Sequence, residues 1–121
     1  MSSPQSIAIL LRHSLLENTH CFDLVSAMIK LDKTINILFL QQSAAALAAI
    51  KLDTNRYPLV NKWRALIHSQ QIKTVICVNA ATQFGLHQAG NQQKLIHDDF
   101  ILGGLGEWVS AMSQADKTLI L

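Results

Sequence analysis

The feature that most limits what this chain can become is its alternation of short, nearly continuous apolar runs with stretches of helical spacing. The first run, Ser6–Leu11 (Ser-Ile-Ala-Ile-Leu-Leu), has no polar face, and a strand of that composition must be covered on both sides. Thr34–Leu40 (Thr-Ile-Asn-Ile-Leu-Phe-Leu) and residues 73–78 (Lys-Thr-Val-Ile-Cys-Val) share this character, and shorter runs follow at residues 100–102 and 118–121. Between the first two, Phe22, Val25 and Ile29 interleave with Leu24, Met28 and Leu31 at helical spacing. Ser14 and Glu17 stand ahead of them with the spacing of a capping box, so a helix is expected to run to about Leu31. Pro58 suits the first turn of a second helix, which carries Leu59, Trp63, Leu66 and Ile67 on one face to about Gln70. Residues 43–52 are alanine-rich and helix-prone until Asp53, Thr54 and Asn55 interrupt them. A last helix is expected over residues 105–112.

Strands separated by helical segments imply an α/β fold, a doubly wound and mainly parallel sheet of about five strands flanked by helices. With 121 residues, 50% of them apolar, the chain has material for one core, and a single domain over residues 1–121 is expected. Only 15% of the residues are charged, too few to cover a small sphere, so some apolar surface is expected to be buried against other subunits. The apolar runs fall well short of the roughly 20 residues that cross a bilayer. The opening Met1-Ser2-Ser3-Pro4-Gln5-Ser6 lacks the cationic start of a secretory signal, which points to the cytoplasm.

In a reducing compartment Cys21 and Cys77 are free thiols. Cys77 stands at the carboxyl end of its strand, where open α/β sheets bind ligands. Asn79 and the helix formers after it suggest a helix start whose free N–H groups would favour a thiolate, the nucleophile of thiol and persulfide exchange. A buried packing cysteine is the alternative. Cys21 lies inside the first helix, where packing is the natural role.

A net charge of +2 is small for a nucleic-acid footprint. Lys51, Arg56, Lys62, Arg64 and Lys73 nevertheless outnumber Asp53 in their stretch, as a solvated helix face or as a docking surface for an acidic partner or RNA. Gly103, Gly104 and Gly106 lack the lysine of a phosphate loop and read as a tight strand-to-helix turn. His13, His20, His68, His87 and His97 have no metal-ligand spacing, although His87 could return toward Cys77. Trp63 and Trp108 belong to core or subunit packing.

Three segments carry a resemblance. Thr74-Val75-Ile76-Cys77-Val78-Asn79-Ala80-Ala81 resembles the active-cysteine segment of the DsrE/TusD family of sulfur-relay proteins. Phe100-Ile101-Leu102-Gly103-Gly104-Leu105-Gly106 is similar to that family's Phe-x-Leu-x-Gly-Leu-Gly turn, and Pro58-Leu59-Val60-Asn61-Lys62-Trp63 to its Leu-Val-x-x-Trp helix. The resemblance implies a sulfurtransferase in which Cys77 accepts a sulfane sulfur from a donor protein and passes it to an acceptor protein, with tRNA 2-thiouridine synthesis as the end use. Sulfur oxidation by a DsrEFH-type complex and a non-catalytic scaffold role are the alternatives. It also implies related small subunits in a hexamer or homo-oligomer, no cofactor or metal, no direct nucleic-acid binding and no membrane. Two loops depart from the pattern: Gln41-Gln42-Ser43 replaces an aromatic and glycine-containing turn, and residues 12–19 lack the usual glycines.

Overall fold

Val, Ile, Leu and Phe fill the strand positions, and the three inner strands of the sheet they form are buried on both faces, as parallel strands require. In the computed structural model, which describes residues 5–87 and 95–121, the strands are β1 (Ser6–Leu11), β2 (Thr34–Leu40), β3 (Thr74–Cys77), β4 (Phe100–Gly103) and β5 (Lys117–Ile120). They lie in the order β4-β3-β2-β1-β5, and every neighbouring pair is parallel. Between them run the helices α1 (Thr19–Lys30), α2 (Pro58–Ser69), α3 (Val78–Gln83) and α4 (Leu105–Gln114). The alanine-rich segment is a 3₁₀ helix, Gln42–Ala48, and not the α-helix its composition suggests.

The chain steps outward from β1 through β2 and β3 to β4, then returns past three strands to place β5 on the far side of β1. Right-handed crossovers set the helices of the outward steps on one face and the returning helix on the other. Phe22 on α1 meets Trp63 on α2 edge-on, with ring centroids 5.3 Å apart. Trp108 on α4 packs 6.0 Å from Phe39 of β2. The β1–β2 register shifts between Ile7 and Ala8, so that Ile7 pairs with Ile35, Ala8 with Ile37, and Asn36 is the extra residue. That bulge accounts for an asparagine in an apolar strand: its Nδ2 donates to the Ala111 carbonyl on α4 at 3.3 Å.

The start of α1 departs from the sequence reading. Asn18, not Ser14, caps α1, its Oδ1 accepting from the His20 N–H at 3.0 Å, while Ser14 Oγ accepts from the Leu16 N–H in the preceding loop. That loop sinks Leu15 into the core before the helix begins. The helices α1 and α2 both close with a left-handed residue, Asp32 and Gln71. In each, the next N–H reaches back five residues, Lys33 to Met28 and Ile72 to Ile67, which satisfies the terminal carbonyls. Among the described residues no helix is long and apolar enough to cross a membrane.

Gly103 ends β4 under tight contact. A Cβ there would stand 2.6 Å from Val75 Cγ1 and 2.9 Å from Glu107 Cγ. Gly103→Ala is therefore expected to cost about 1–3 kcal/mol in denaturant unfolding. Val75→Ala in the same chain should return part of that loss, and a purely additive double mutant would show that the two sites do not touch.

Candidate functional site

The strand β3 passes into α3 with no loop: Cys77 is both the last strand residue and the helix N-cap, with φ −58° and ψ 127°. Sequence reading placed the cap at Asn79, which instead is exposed inside the first turn of α3. Cys77 pairs in register with Gly103 on one side. On the other side Leu40 pairs with Ile76, which brings Gln41 level with Cys77. Gln41 N–H donates to the Leu11 carbonyl at 2.9 Å, so the ladder reaches this level from β1 as well. Cys77 thus sits in the carboxyl-terminal edge of the sheet, flanked by a glutamine and a glycine. The winding reverses elsewhere, between β1 and β5.

Cys77 is in no disulfide, and its side chain makes no capping hydrogen bond. It is 9% exposed, far less open than an accessible nucleophile would suggest. Cys21 is equally covered, but it packs from the first turn of α1 into the core, and desolvation raises its thiol above the ordinary 9.0. The two thiols differ in position and not in exposure.

Next to Cys77 lies an unusual backbone. Gln42 has φ 49°, the third left-handed non-glycine residue among those described. Asp32 and Gln71 are explained by their helix ends; Gln42 instead opens a 3₁₀ helix immediately after β2, where no terminal carbonyl is being satisfied. This is the position at which the sequence departs from the glycine-containing turn of the resembling family. No propensity signal marks it, because glutamine is an ordinary helix former.

The other candidates scatter. His68 Nδ1 lies 3.3 Å from Asp99 Oδ2, and His97 Nδ1 3.9 Å from the same oxygen. His68 belongs to the last turn of α2 and faces the opposite edge of the sheet. His87 lines a groove of about 350 Å³ with Leu86, Ile96, Ile101 and Leu102, in which Cys77 has no part. Among the described residues no group of three His, Cys, Asp or Glu is placed to hold a metal ion. Gly103 ends β4 and Gly104 caps α4, the tight turn expected of the glycine cluster. Trp63 and Trp108 are buried. The basic cluster divides: Arg64 Nη2 turns inward to the carbonyls of Leu47 and Ala49, where desolvation lowers its pKa, and Lys73 Nζ pairs with Glu107 at 3.3 Å.

The family model described as DsrE/DsrF-like family matches residues 5–121. The proposed sulfurtransferase DsrE of Allochromatium vinosum is 32% identical over 68 residues, which cover 51% of this chain and 52% of that protein. The chain thus spans about half the length of the curated relative it matches. The crystal structure of the YchN protein of E. coli superposes with a TM-score of 0.75 over 97% of this chain and 99% of that one, at 19% identity, a likeness of fold alone.

Two outcomes follow from the geometry. Gln42→Gly relieves a left-handed side chain at the cost of a freer unfolded chain, so unfolding should show stability unchanged or raised by up to about 1 kcal/mol; a loss beyond that range would mean the side chain, not the backbone, holds the turn. Under limiting iodoacetamide at neutral pH, peptide mapping should find Cys21 modified more slowly than Cys77, since burial keeps Cys21 protonated. Cys21 labelled first would reverse the ranking of the two thiols.

Proposed function

The chain belongs to the DsrE/DsrF-like family, and from that premise we propose that it is a sulfur-relay subunit in which Cys77 carries sulfur as a persulfide. The observation that carries the reading is the place of Cys77, an unpaired thiol at the carboxyl end of a central parallel strand, on the segment that resembles the family's active-cysteine stretch. The name of the Allochromatium vinosum relative supports the same chemistry, and the TusD-like segments support tRNA thiolation as the destination of the sulfur.

The transfer is an exchange at sulfur. Cys77 thiolate attacks the outer sulfur of a donor R–S–SH; a new S–S bond forms to Cys77, the donor's S–S bond breaks, and R–S⁻ departs with the electron pair. An acceptor thiolate then attacks the outer sulfur of Cys77–S–SH and releases Cys77 as thiolate. Oxidation levels balance across each step, and the proton stays on the transferred sulfur. The S–S bond of about 2 Å moves the reactive atom outward from a largely covered thiol. That cover is the one feature that favours the scaffold reading, and docking of a donor must open it.

Assembly belongs to the same proposal. Ile101 and Leu102 on edge strand β4, Leu105 and Val109 on α4, and Ile120 on edge strand β5 are exposed. Unpaired edges and apolar side chains together support burial against copies of this chain or related small subunits in an oligomer.

Incubation with a cysteine desulfurase, cysteine and a sulfur carrier should add one sulfur mass to the chain in intact-protein mass spectrometry. Cys77→Ser should abolish the addition with the fold retained, and Cys21→Ser should leave it unchanged. Sulfur loading that persists in Cys77→Ser, or none in the wild type with related subunits supplied, would reject the carrier role in favour of the scaffold.

A further inference from the structure

The starts of α1 and α2 enclose a groove of about 340 Å³, lined by Leu16, Glu17, Thr19, Arg56, Pro58, Leu59 and Lys62. Both helices follow strands that end at the carboxyl edge, so the groove opens on the same edge as Cys77, about two strand spacings, roughly 10 Å, along the sheet. Leu16, Leu59 and Pro58 give it an apolar floor. Lys62 and Arg56 form its cationic wall, and among the described residues neither is in a salt bridge; the Arg56 guanidinium instead lies 5.3 Å from the centre of the Tyr57 ring. No side chain caps α2 and no acidic residue occupies its first turn, so its positive end reinforces the wall.

Cations and acids balance at both sheet edges, so the charges that line the groove itself decide what it can take. The loops and helix starts at the carboxyl edge hold Arg12, Lys51, Arg56 and Lys62 against Glu17, Asp23, Asp53 and Glu107, of which Glu107 is paired with Lys73. Asp53 is engaged, its Oδ1 accepting from the N–H groups of Asn55 and Arg56. At the other edge the acids Asp32, Asp98, Asp99 and Asp116 are matched in number by Lys30, Lys33, Lys73 and Lys117. A partner that reaches the groove meets an apolar slot walled by Arg56 and Lys62, two cations that pair with no acid among the described residues.

We propose that this groove docks an acidic, leucine-type peptide segment of a partner protein and so aligns the partner with Cys77. The proposal rests on the relay reading only for the identity of that partner as a sulfur donor or acceptor. A protein segment fits better than RNA: the floor is aliphatic and offers no ring on which a base could stack, and Tyr57 beside it already lies under Arg56.

Fluorescence anisotropy with a labelled synthetic peptide of alternating glutamate and leucine tests it on the full chain. Saturable binding is expected, weakening as salt rises from about 0.01 M to about 0.15 M and the screening length falls from roughly 30 Å to roughly 8 Å. Arg56→Glu with Lys62→Glu should weaken it by about tenfold or more, and the neutral pair Arg56→Gln with Lys62→Gln by less. Lys33→Glu with Lys117→Glu, at the opposite edge, should change it by less than about twofold, with circular dichroism confirming that each variant is folded. Equal binding by the charge-reversed variant, equal binding of a glutamine-leucine peptide, or displacement of the peptide by oligouridylate would overturn the proposal. Cys77→Ser should bind like the wild type. A protein that binds the peptide but never loads sulfur keeps the groove and loses the relay, whereas one that loads sulfur but ignores the charge reversal does the opposite.

Discussion

Parallel pairing between strands that are neighbours in sequence is the constraint from which the rest of this molecule follows. Two adjacent parallel strands cannot be joined by a tight turn, so the chain must leave one strand at its carboxyl end, cross a face of the sheet and re-enter at the amino end. Every strand of this sheet obeys that rule. All strand exits and all helix starts therefore gather on one edge, while helix ends such as His68 and strand entries such as Lys117 gather on the other. Cys77, Gln42, Gly104 and the groove beside Arg56 lie together because of connectivity, not because any local sequence signal links them.

The return from β4 to β5 is the costly step in this plan, because it spans the width of the sheet and leaves β4 and β5 as edges. Its helix is held at the middle of the sheet by two unlike contacts, the Trp108–Phe39 packing and the amide of Asn36 on the Ala111 carbonyl. The second depends on a bulge that places one extra residue in β2 opposite β1. At the seam, Ser6 N–H donates to Asp116 Oδ2 at 2.8 Å, Asp116 N–H returns a bond to the Ser6 carbonyl, and Arg12 N–H reaches the Leu121 carbonyl. Backbone pairing thus extends past both ends of β5, which compensates for a strand whose side chains are largely exposed.

Strands and their order of appearance were legible because burial on both faces leaves a continuous apolar signature, and helices such as α2 because one apolar face repeats at 3.6 residues. What the sequence hid was decided at longer range. Ser14 and Glu17 satisfy the spacing of a capping box, yet the burial of Leu15 delays the helix to Asn18. Alanines 44–46 favour an α-helix in isolation, yet a left-handed Gln42 and the bonds from Ile50 N–H to Leu95 and from His97 N–H to Ala48 shape that segment differently. Position 77 was readable as a strand end with its burial left open, and its neighbours were not readable, because Gln41 and Gly103 come from strands distant in sequence. Arg64 counted as surface charge by composition and proved to be a bridge between two carbonyls.

A covered thiol at an exit edge reconciles two demands that pull apart. A persulfide left open to solvent exchanges with any small thiol it meets, since the reaction needs only a thiolate and access. A thiol packed into the core exchanges slowly, and Cys21, whose burial favours the protonated form, is nearer that case. Cys77 stands between them: it is as covered as Cys21, but it sits at the margins of secondary structure, where a six-residue helix begins and the left-handed Gln42 follows the end of the neighbouring strand. Short helices and left-handed turns have few bonds to break, so their local opening costs less than unfolding the sheet. On the proposed carrier role of Cys77, access is granted by whatever docks at that edge, and selectivity passes from the thiol to the surface around it.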